Sequence, residues 1–444
     1  MNVLAGRRLV HLTTTDMSLA LLLGPQLRAF AEAGMDVVGA SAPGPWAEDL
    51  AALGVRHEPV VHATRAMDLA EDARALAELV RLFRRLRPDI VHTHNPKPGV
   101  YGRLAARLAG VPAIVNTVHG LYATPDDRWA RRAVVYGVER AATTCSQAEL
   151  VQNPEDLDTL GRLRVPPGKL VLLGNGVDLA RFHPVTAAAA ARARQALGAA
   201  DGQVVVGMVG RLVWQKGLRE LFAAAERLRR CRPEVLVVLV GPLDPDKADG
   251  LGEADLAAAR ALGNVSFLGP RRDVEALYPG FDLFVLPSYR EGFPRSAMEA
   301  SACGVPVVAT DIRGCREVVD PGVTGLLVPP HDARALAQAI GQLAADPARR
   351  QAMGRAARRR AEAEFDDRRV VSITLDVYRR LLGRPHSRWG GGPFPADRPM
   401  TRPPSPARPA RAGRAARTAG AARPASSDRP GRAEFPGVPR SDLG

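Results

Sequence analysis

The chain has 444 residues, is 46% hydrophobic and carries a formal net charge of +14, which suits roughly two or three domains with a sizeable core. Its four cysteines, Cys145, Cys231, Cys303 and Cys315, are scattered with no CxxC spacing; this argues against a disulfide scaffold and for reduced thiols in a cytoplasmic protein. No apolar run approaches the roughly 18 residues of a spanning helix, and the stretch after residue 383 holds twelve Arg against four acids, so the basic balance says little about the rest of the chain.

In chain order, residues 8–13 read as a first buried strand. The apolar stretch 19–23 after Arg7-Arg8 is too short for a signal-peptide core and is interrupted by Gly24-Pro25. A short helix follows at 25–33, with Gly34 past its end as a C-cap, then a strand at 37–40. Asp68 followed by Glu71 is capping-box-like and opens a helix to about Leu86. Its apolar positions Leu76, Leu79, Val80, Phe83 and Leu86 recur at helical spacing, surrounded by Arg74, Arg81, Arg84, Arg85 and Arg87. A strand at 90–93, a helix at 100–109 punctuated by Gly110 and Pro112, and a strand at 114–118 ending at His119-Gly120 come next. Strands alternating with helices imply a doubly wound parallel sheet, an α/β fold.

The pattern changes between 182 and 200, with a break at Pro184 and an Ala-rich helix, so the first domain is placed at 1–184. A second series then runs through strands at 204–209, 235–240, 265–268, 281–286 and 307–309, with a helix at 217–230 and helices near 332–345 and 347–364. The second domain is placed at 185–366. A last helix near 367–382 carries Val370, Val371, Ile373, Leu375 and Val377. Residues 384–444 are rich in Pro, Arg, Ala and Gly, with almost no core-forming residues, and are expected to be disordered.

Ligands of open α/β sheets bind at the carboxyl ends of the strands. His94 and Lys97 follow strand 90–93, His119 follows 114–118, Arg211 and Lys216 follow 204–209, and Glu291 follows 281–286. In the segment PSYREGFPRSAMEASACG at 287–304, Pro294 suits the first turn of a helix that runs to about Cys303 and stops at Gly304. Glu291 then sits just before the helix and Glu299 two turns along it. A strand-fed helix N-terminus is an anion site, and flanking carboxylates could accept sugar hydroxyls; two ordinary surface glutamates would read the same way. His92 and His94 alternate on one strand and could pair on a metal, but no third ligand is evident, so no metal site is expected. Asp244 and Asp246 imitate a metal-binding Asp-x-Asp in a Pro- and Gly-rich loop and read as loop.

The Glu, seven residues, Glu pattern in PSYREGFPRSAMEASACGVPVVATDIRGCREVV resembles the donor site of retaining GT-B glycosyltransferases of family 4. The resemblance extends through GRLVWQKG at 210–217, NGVDLARF at 175–182 and TVHG at 117–120, and spans roughly residues 7–380. It implies two Rossmann-like domains facing across a cleft, with residues 367–383 crossing back to the first. It implies that Arg211 and Lys216, beside Gly210, hold the donor diphosphate in place of a metal. Glu291 would contact donor-sugar hydroxyls and Glu299 the ribose, while Gly292 and Phe293 supply N–H donors and Arg295 assists the phosphates. His119 would lie near the donor sugar and the acceptor, and Asn175 would line the cleft. No cofactor is implied beyond the nucleotide sugar, with UDP preferred, as co-substrate.

The segments HTHNPKPGVYGRLAARLAG and NPEDLDTL are similar to the subgroup that extends polyprenyl-diphosphate-linked glycans, often with a HexNAc donor. This implies a glycan or lipid-linked acceptor whose diphosphate meets Lys97. Thr13-Thr14-Thr15-Asp16 stands where other members carry a Gly-Gly loop, which argues against inositol-phosphate acceptors. A membrane-lipid acceptor would call for peripheral attachment, with the Arg of helix 68–87 and Arg103, Arg107, Arg128, Arg131 and Arg132 against anionic headgroups. A GT-B sugar-nucleotide epimerase is the competing enzyme class. An NAD-binding enzyme lacks its GxGxxG, and a nucleic-acid binder would need more aromatics than the tail offers.

Overall fold

The computed structural model describes residues 3–64, 68–94, 96–123, 127–244 and 249–383. The tail from 384 onward and Asp246 lie outside the described residues. Short Val- and Ile-rich runs without polar alternation suit strands buried on both faces. Seven form one parallel sheet: β1 Arg8–Thr15, β2 Asp36–Ala42, β3 Arg56–Pro59, β4 Ile90–His94, β5 Ala113–Val118, β6 Ala148–Val151 and β7 Leu170–Leu172, in the order β3-β2-β1-β4-β5-β6-β7. Six form a second: β8 Val204–Val209, β9 Val235–Val240, β10 Val265–Gly269, β11 Leu283–Leu286, β12 Val307–Thr310 and β13 Gly325–Val328, in the order β10-β9-β8-β11-β12-β13. All pairings within both sheets are parallel. Each order reverses once, between β1 and β4 and between β8 and β11, and such switch points are where ligands of doubly wound sheets gather.

Side chains alternate across each strand. Val204, Val206 and Met208 of β8 enter the core on one face, and Val205 enters the core on the other. Leu9 of β1 likewise lies opposite Val10 and Leu12. Gly207 is open on the side where the Phe281 ring packs; a Cβ there would lie 2.4 Å from the ring.

The structure adds elements that periodicity does not announce: a π-helical turn Ser18–Leu22, a short helix Ala47–Ala52, the polar edge strand β3, and β13. The strand expected at 281–286 starts only at Leu283, because Phe281 still donates its N–H to the Tyr278 carbonyl of a preceding 3-10 turn. Pro294 is the cap of its helix, with ψ of 111°, and the helix itself is Arg295–Ala302. The Asp68 side chain caps the helix Leu69–Leu86 through the N–H groups of Ala70 and Glu71.

The chain leaves the first sheet through Val177, which exchanges backbone hydrogen bonds with Phe365 and Asp367. Gly176 permits this close passage, since a Cβ would lie 2.5 Å from Asp367 Cα. The helix Asp367–Leu382 then inserts Val370, Val377 and Tyr378 into the core that also holds Leu9, Phe30 and Ile90. Arg103, expected at a membrane-facing surface, is instead fully buried. Its guanidinium bonds Glu139 at 2.7 Å and Glu149 at 2.8 Å. Among the described residues, no helix is long and apolar enough to cross a membrane.

Candidate active site

The second sheet's switch point brings two loops together. Gly217, after β8, has φ of +73°, and a Cβ there would lie 1.9 Å from the Pro287 carbonyl oxygen that follows β11. This contact seats Lys216 beside the Glu291 loop. Lys216 Nζ donates to Glu291 Oε1 at 2.6 Å, and Ser288 Oγ donates to the same oxygen at 2.7 Å. Glu291 Oε2 has no hydrogen-bond partner among the described residues. At the other end of the loop Gly210 has φ of +152°, and its carbonyl packs where Gly241 lacks a Cβ. Arg211, next in the chain, pairs with Asp244 at 2.7 Å. Asp244, half of the sequence's Asp-x-Asp look-alike, is therefore an arginine partner here.

The helix behind Glu291 begins with donors to spare. Its first intrahelical bond runs from Met298 N–H to the Pro294 carbonyl, so the N–H groups of Arg295, Ser296 and Ala297 are outside the ladder. The N–H groups of Gly292 and Phe293 have no acceptor among the described residues. The Phe293 ring is buried against Phe365, 5.9 Å between centroids, which anchors the turn.

Glu299 is buried on the inner side of that helix. It accepts from Tyr278 Oη at 2.8 Å and from Arg295 Nε at 3.1 Å. Burial raises its pKa, against the pull of Arg295 and Tyr278. Arg295 also donates to the carbonyls of Leu21 and Leu22, at 2.8 and 3.1 Å. A phosphate-assisting role for Arg295 would therefore compete with these contacts, which join the second domain to the first.

Across from Gly292 lies the turn after β5. A Cβ on Gly292 would sit 1.8 Å from the His119 carbonyl oxygen, and one on Gly120 would sit 2.8 Å from Gly292 Cα. Only glycine backbones fit at this approach. Asn175 Nδ2 donates to the Phe293 carbonyl at 3.1 Å, and Asn153 Nδ2 to the Gly292 carbonyl at 3.3 Å. Arg313 donates to Asp156 and to the Leu121 carbonyl, and Arg290 donates to Asp127 at 2.9 Å and to the Tyr122 carbonyl at 2.8 Å. Lys97, expected to meet an acceptor diphosphate, is instead ion-paired with Asp72 at 2.6 Å. Where a Gly-Gly loop was missed in the sequence, the buried Asp16 carboxylate accepts the N–H groups of Met17 and Trp46, at 2.8 and 2.7 Å, and so closes the loop after β1.

His119 is not alone. His94 Nδ1 lies 2.8 Å from His119 Nε2, and His94 Nε2 lies 3.0 Å from His11 Nδ1. His11 and His92 are register partners on β1 and β4, and both reach the Tyr378 hydroxyl, at 3.2 and 2.6 Å. Burial pushes His11 down to about 3 and His119 to about 4, and it holds His92 and His94 well below the usual histidine range. All four are neutral near pH 7. The third imidazole that the sequence lacked for His92 and His94 is His11: nitrogens of the three lie within 4.8 Å of one another. Each of these nitrogens already has a protein hydrogen-bond partner.

Sequence reading missed Ser288, Asn153, Asp156, Arg290, Arg313 and Tyr278 as parts of this site. The Asn-Pro-Glu-Asp run at 153–156 was one available signal: Asn153 caps the helix Pro154–Arg162, a pattern typical of helix starts.

The geometry is matched by kinship. Residues 190–360 match the model of glycosyl transferases group 1, and residues 26–181 that of glycosyltransferase family 4. A D-inositol 3-phosphate glycosyltransferase of Salinispora tropica is 34% identical over 317 residues, 68% of this chain and 65% of the relative, so the match spans just under two thirds of that relative's length. A UDP-Gal:alpha-D-GlcNAc-diphosphoundecaprenol alpha-1,3-galactosyltransferase of Escherichia coli is 32% identical, covering 64% of this chain and 73% of that protein. The solved sucrose-phosphate synthase of Thermosynechococcus elongatus superposes with a TM-score of 0.72 at 26% identity, over 85% of this chain and 99% of its own. The chain thus belongs to glycosyltransferase family 4, and is a glycosyltransferase with the two Rossmann-like domains of the GT-B fold.

Proposed function

We propose that the protein transfers a hexose or HexNAc from a UDP-linked sugar to a glycan or polyprenyl-diphosphate-linked acceptor, with retention at the anomeric carbon and without a metal. The observation that carries this reading is the Lys216–Glu291 pair at the β8/β11 switch point, 2.6 Å apart, with Glu291 Oε2 unengaged. A departing nucleoside diphosphate gains negative charge. Lys216, Arg211 and the N–H groups of Gly292 and Phe293 are the donors that would stabilise it, which is the work a metal does elsewhere. Glu291 Oε2 would accept from donor-sugar hydroxyls, and Glu299 from the ribose through lone pairs that Tyr278 and Arg295 leave unused. Gly210 and Asn175 shape the cleft, and His119 lies across from Gly292 where donor sugar and acceptor would meet. Retention by front-face attack asks for positioning and charge stabilisation more than for a strong base. The residues through 184 would serve the acceptor and residues 185–366 the donor.

The relatives named above differ in acceptor. The E. coli protein is named for a diphosphoundecaprenol-linked acceptor and the S. tropica protein for an inositol phosphate. The Asp16-closed loop after β1 favours the lipid-linked class for this chain. So does an apolar face on adjacent helices: Leu104 and Leu108 on one, Trp129, Val134 and Val138 on the next, all exposed. With the exposed Arg128 and Arg131 beside them, they would meet an anionic bilayer at the cytoplasmic face.

A thermal-shift screen of nucleotide sugars tests the donor, because a ligand of the folded state raises its apparent stability. Transfer by the UDP-sugar hit should then survive EDTA and yield an α-linked product from an α-linked donor. Conversion of the nucleotide sugar without acceptor would point to an epimerase, and loss of activity restored by Mn²⁺ would overturn metal independence.

A further inference from the structure

We propose that His119, His94, His11 and His92, joined through the Tyr378 hydroxyl, form a one-directional hydrogen-bond wire that holds all four imidazoles in the same tautomer, which makes His94, His11 and Tyr378 positioning residues for His119. The functional half of this inference rests on the reading that His119 faces the reacting sugars.

The wire has five links. His119 Nε2 meets His94 Nδ1, His94 Nε2 meets His11 Nδ1, and His11 Nε2 meets Tyr378 Oη. Tyr378 Oη meets His92 Nδ1, and His92 Nε2 meets Thr117 Oγ1 at 2.7 Å. Each link needs one proton. A neutral imidazole has one N–H and one bare nitrogen, and a phenol has one O–H. A ring that donated at both of its links would be a cation, which burial among three other imidazoles disfavours. A ring that accepted at both would lack its proton. A phenol that accepted at both of its links would leave its own buried O–H without an acceptor among the described residues, which costs the desolvation of that group. Two arrangements remain. Either every link donates away from His119, and every ring carries its hydrogen on Nε2, or every link donates toward His119, and every ring carries it on Nδ1.

The groups named at the two ends are compatible with either direction. Thr117 offers a hydroxyl, and the Gln152 side chain that hydrogen-bonds His119 offers a carboxamide; each can donate or accept. The wire therefore decides as a unit whether His119 is an Nε2–H or an Nδ1–H imidazole. Tyr378 belongs to the helix Asp367–Leu382, so the seating of that crossing helix bears on the state of a cleft histidine that lies far from it in sequence.

The test is nitrogen-15 NMR on full-length protein labelled at histidine, with signals assigned by single substitutions. The expected result is one shared tautomer for His11, His92, His94 and His119 at neutral pH. Mixed tautomers, or a cationic ring among the four, would overturn the wire. So would stoichiometric zinc in the purified protein whose removal by chelator changes these signals, because ion ligation would consume the links. Tyr378→Phe should free His92 from the tautomer of the other three. It should lower kcat for transfer about tenfold, the scale on which outer-shell partners of ligating histidines act, with the KM for the nucleotide sugar held. His92 signals unchanged in that variant would overturn the link through Tyr378. His119→Ala retaining full transfer, with shared tautomers in the wild type, would support the wire and remove only the catalytic reading of His119.

Discussion

Lys216 Nζ and Glu291 Oε1 lie 2.6 Å apart and tie the loop after β8 to the loop after β11. The pair is mostly buried, with the side chains 24% and 11% exposed. Each charge is the other's partner, so a donor would have to draw Lys216 toward its phosphates while Glu291 turns to the sugar. The two residues sit at the sheet's switch point because Gly217 and Pro287 allow the loops to touch.

Glu299 has a structural and a binding role to separate. Glu299→Ala removes one of two acceptors of the buried Tyr278 hydroxyl, the Ser296 carbonyl at 3.1 Å being the other, and should cost roughly 0.5–1.5 kcal/mol of stability. Glu299→Gln keeps an acceptor and should keep most of that stability. Calorimetry should nevertheless show weaker UDP binding for both variants. UDP affinity equal to wild type in Glu299→Gln would remove the ribose role.

Arg103 is the charge on which Glu139 and Glu149 depend. Arg103→Met leaves two carboxylates buried without their cation and should destabilise the first domain by roughly 3–5 kcal/mol. Denaturant unfolding measures this. Stability unchanged in Arg103→Met would show that the buried triad contributes little.

The buried histidines give acid sensitivity a definite sign. Their folded pKa values lie below the unfolded value of 6.5, with His11 at about 3 and His119 at about 4. The unfolded chain then binds more protons, so the stability they contribute is full above about pH 6.5 and falls as pH drops toward the folded values. Each such group loses about 1.4 kcal/mol per pH unit in that window. Glu149 and Glu299, raised by burial, act in the opposite direction, so the clean measurement is a difference. His11→Asn should flatten the fall in unfolding free energy by about one proton below pH 6.5. Parallel pH profiles for variant and wild type would contradict the assignment.

In the proposed membrane attachment, exposed apolar residues that the sequence did not single out join Arg128 and Arg131, while Arg103 drops out. Trp129→Ala with Val134→Ser should reduce sedimentation with anionic vesicles, and salt should reduce it further. Arg128→Ala should act more weakly, by at most about 1 kcal/mol. Wild-type protein that ignores anionic vesicles at low salt would shift the acceptor toward a soluble glycan.

Much of the frame was legible in the sequence, because it depends on local pattern. β9 and the helix Asp367–Leu382 were readable from apolar spacing, and the position of Glu291 after β11 follows from strand, loop and helix order. Side-chain partnerships were not legible. Arg103 looks like any solvated helix arginine until the fold brings up Glu139 and Glu149, both more than 35 residues away. Lys97 meets Asp72, and Arg295 meets Leu21 and Leu22, only through tertiary contact. His11 becomes the neighbour of His92 through the β1/β4 register, and a sequence read strand by strand does not contain that register. The polar edge strand β3 was missed because it pairs on one side only and needs little apolar patterning.

The most direct test of the account is sugar transfer by Lys216→Ala, measured with the UDP-sugar identified by the thermal-shift screen. Lys216 is partly exposed at the end of a 3-10 turn, so the fold should survive, and thermal unfolding of the variant checks this. Loss of one charge-stabilising donor predicts a fall in kcat of about 10²–10³. A folded Lys216→Ala protein that transfers sugar at near-normal turnover would contradict the assignment of the Lys216–Glu291 pair to the donor site.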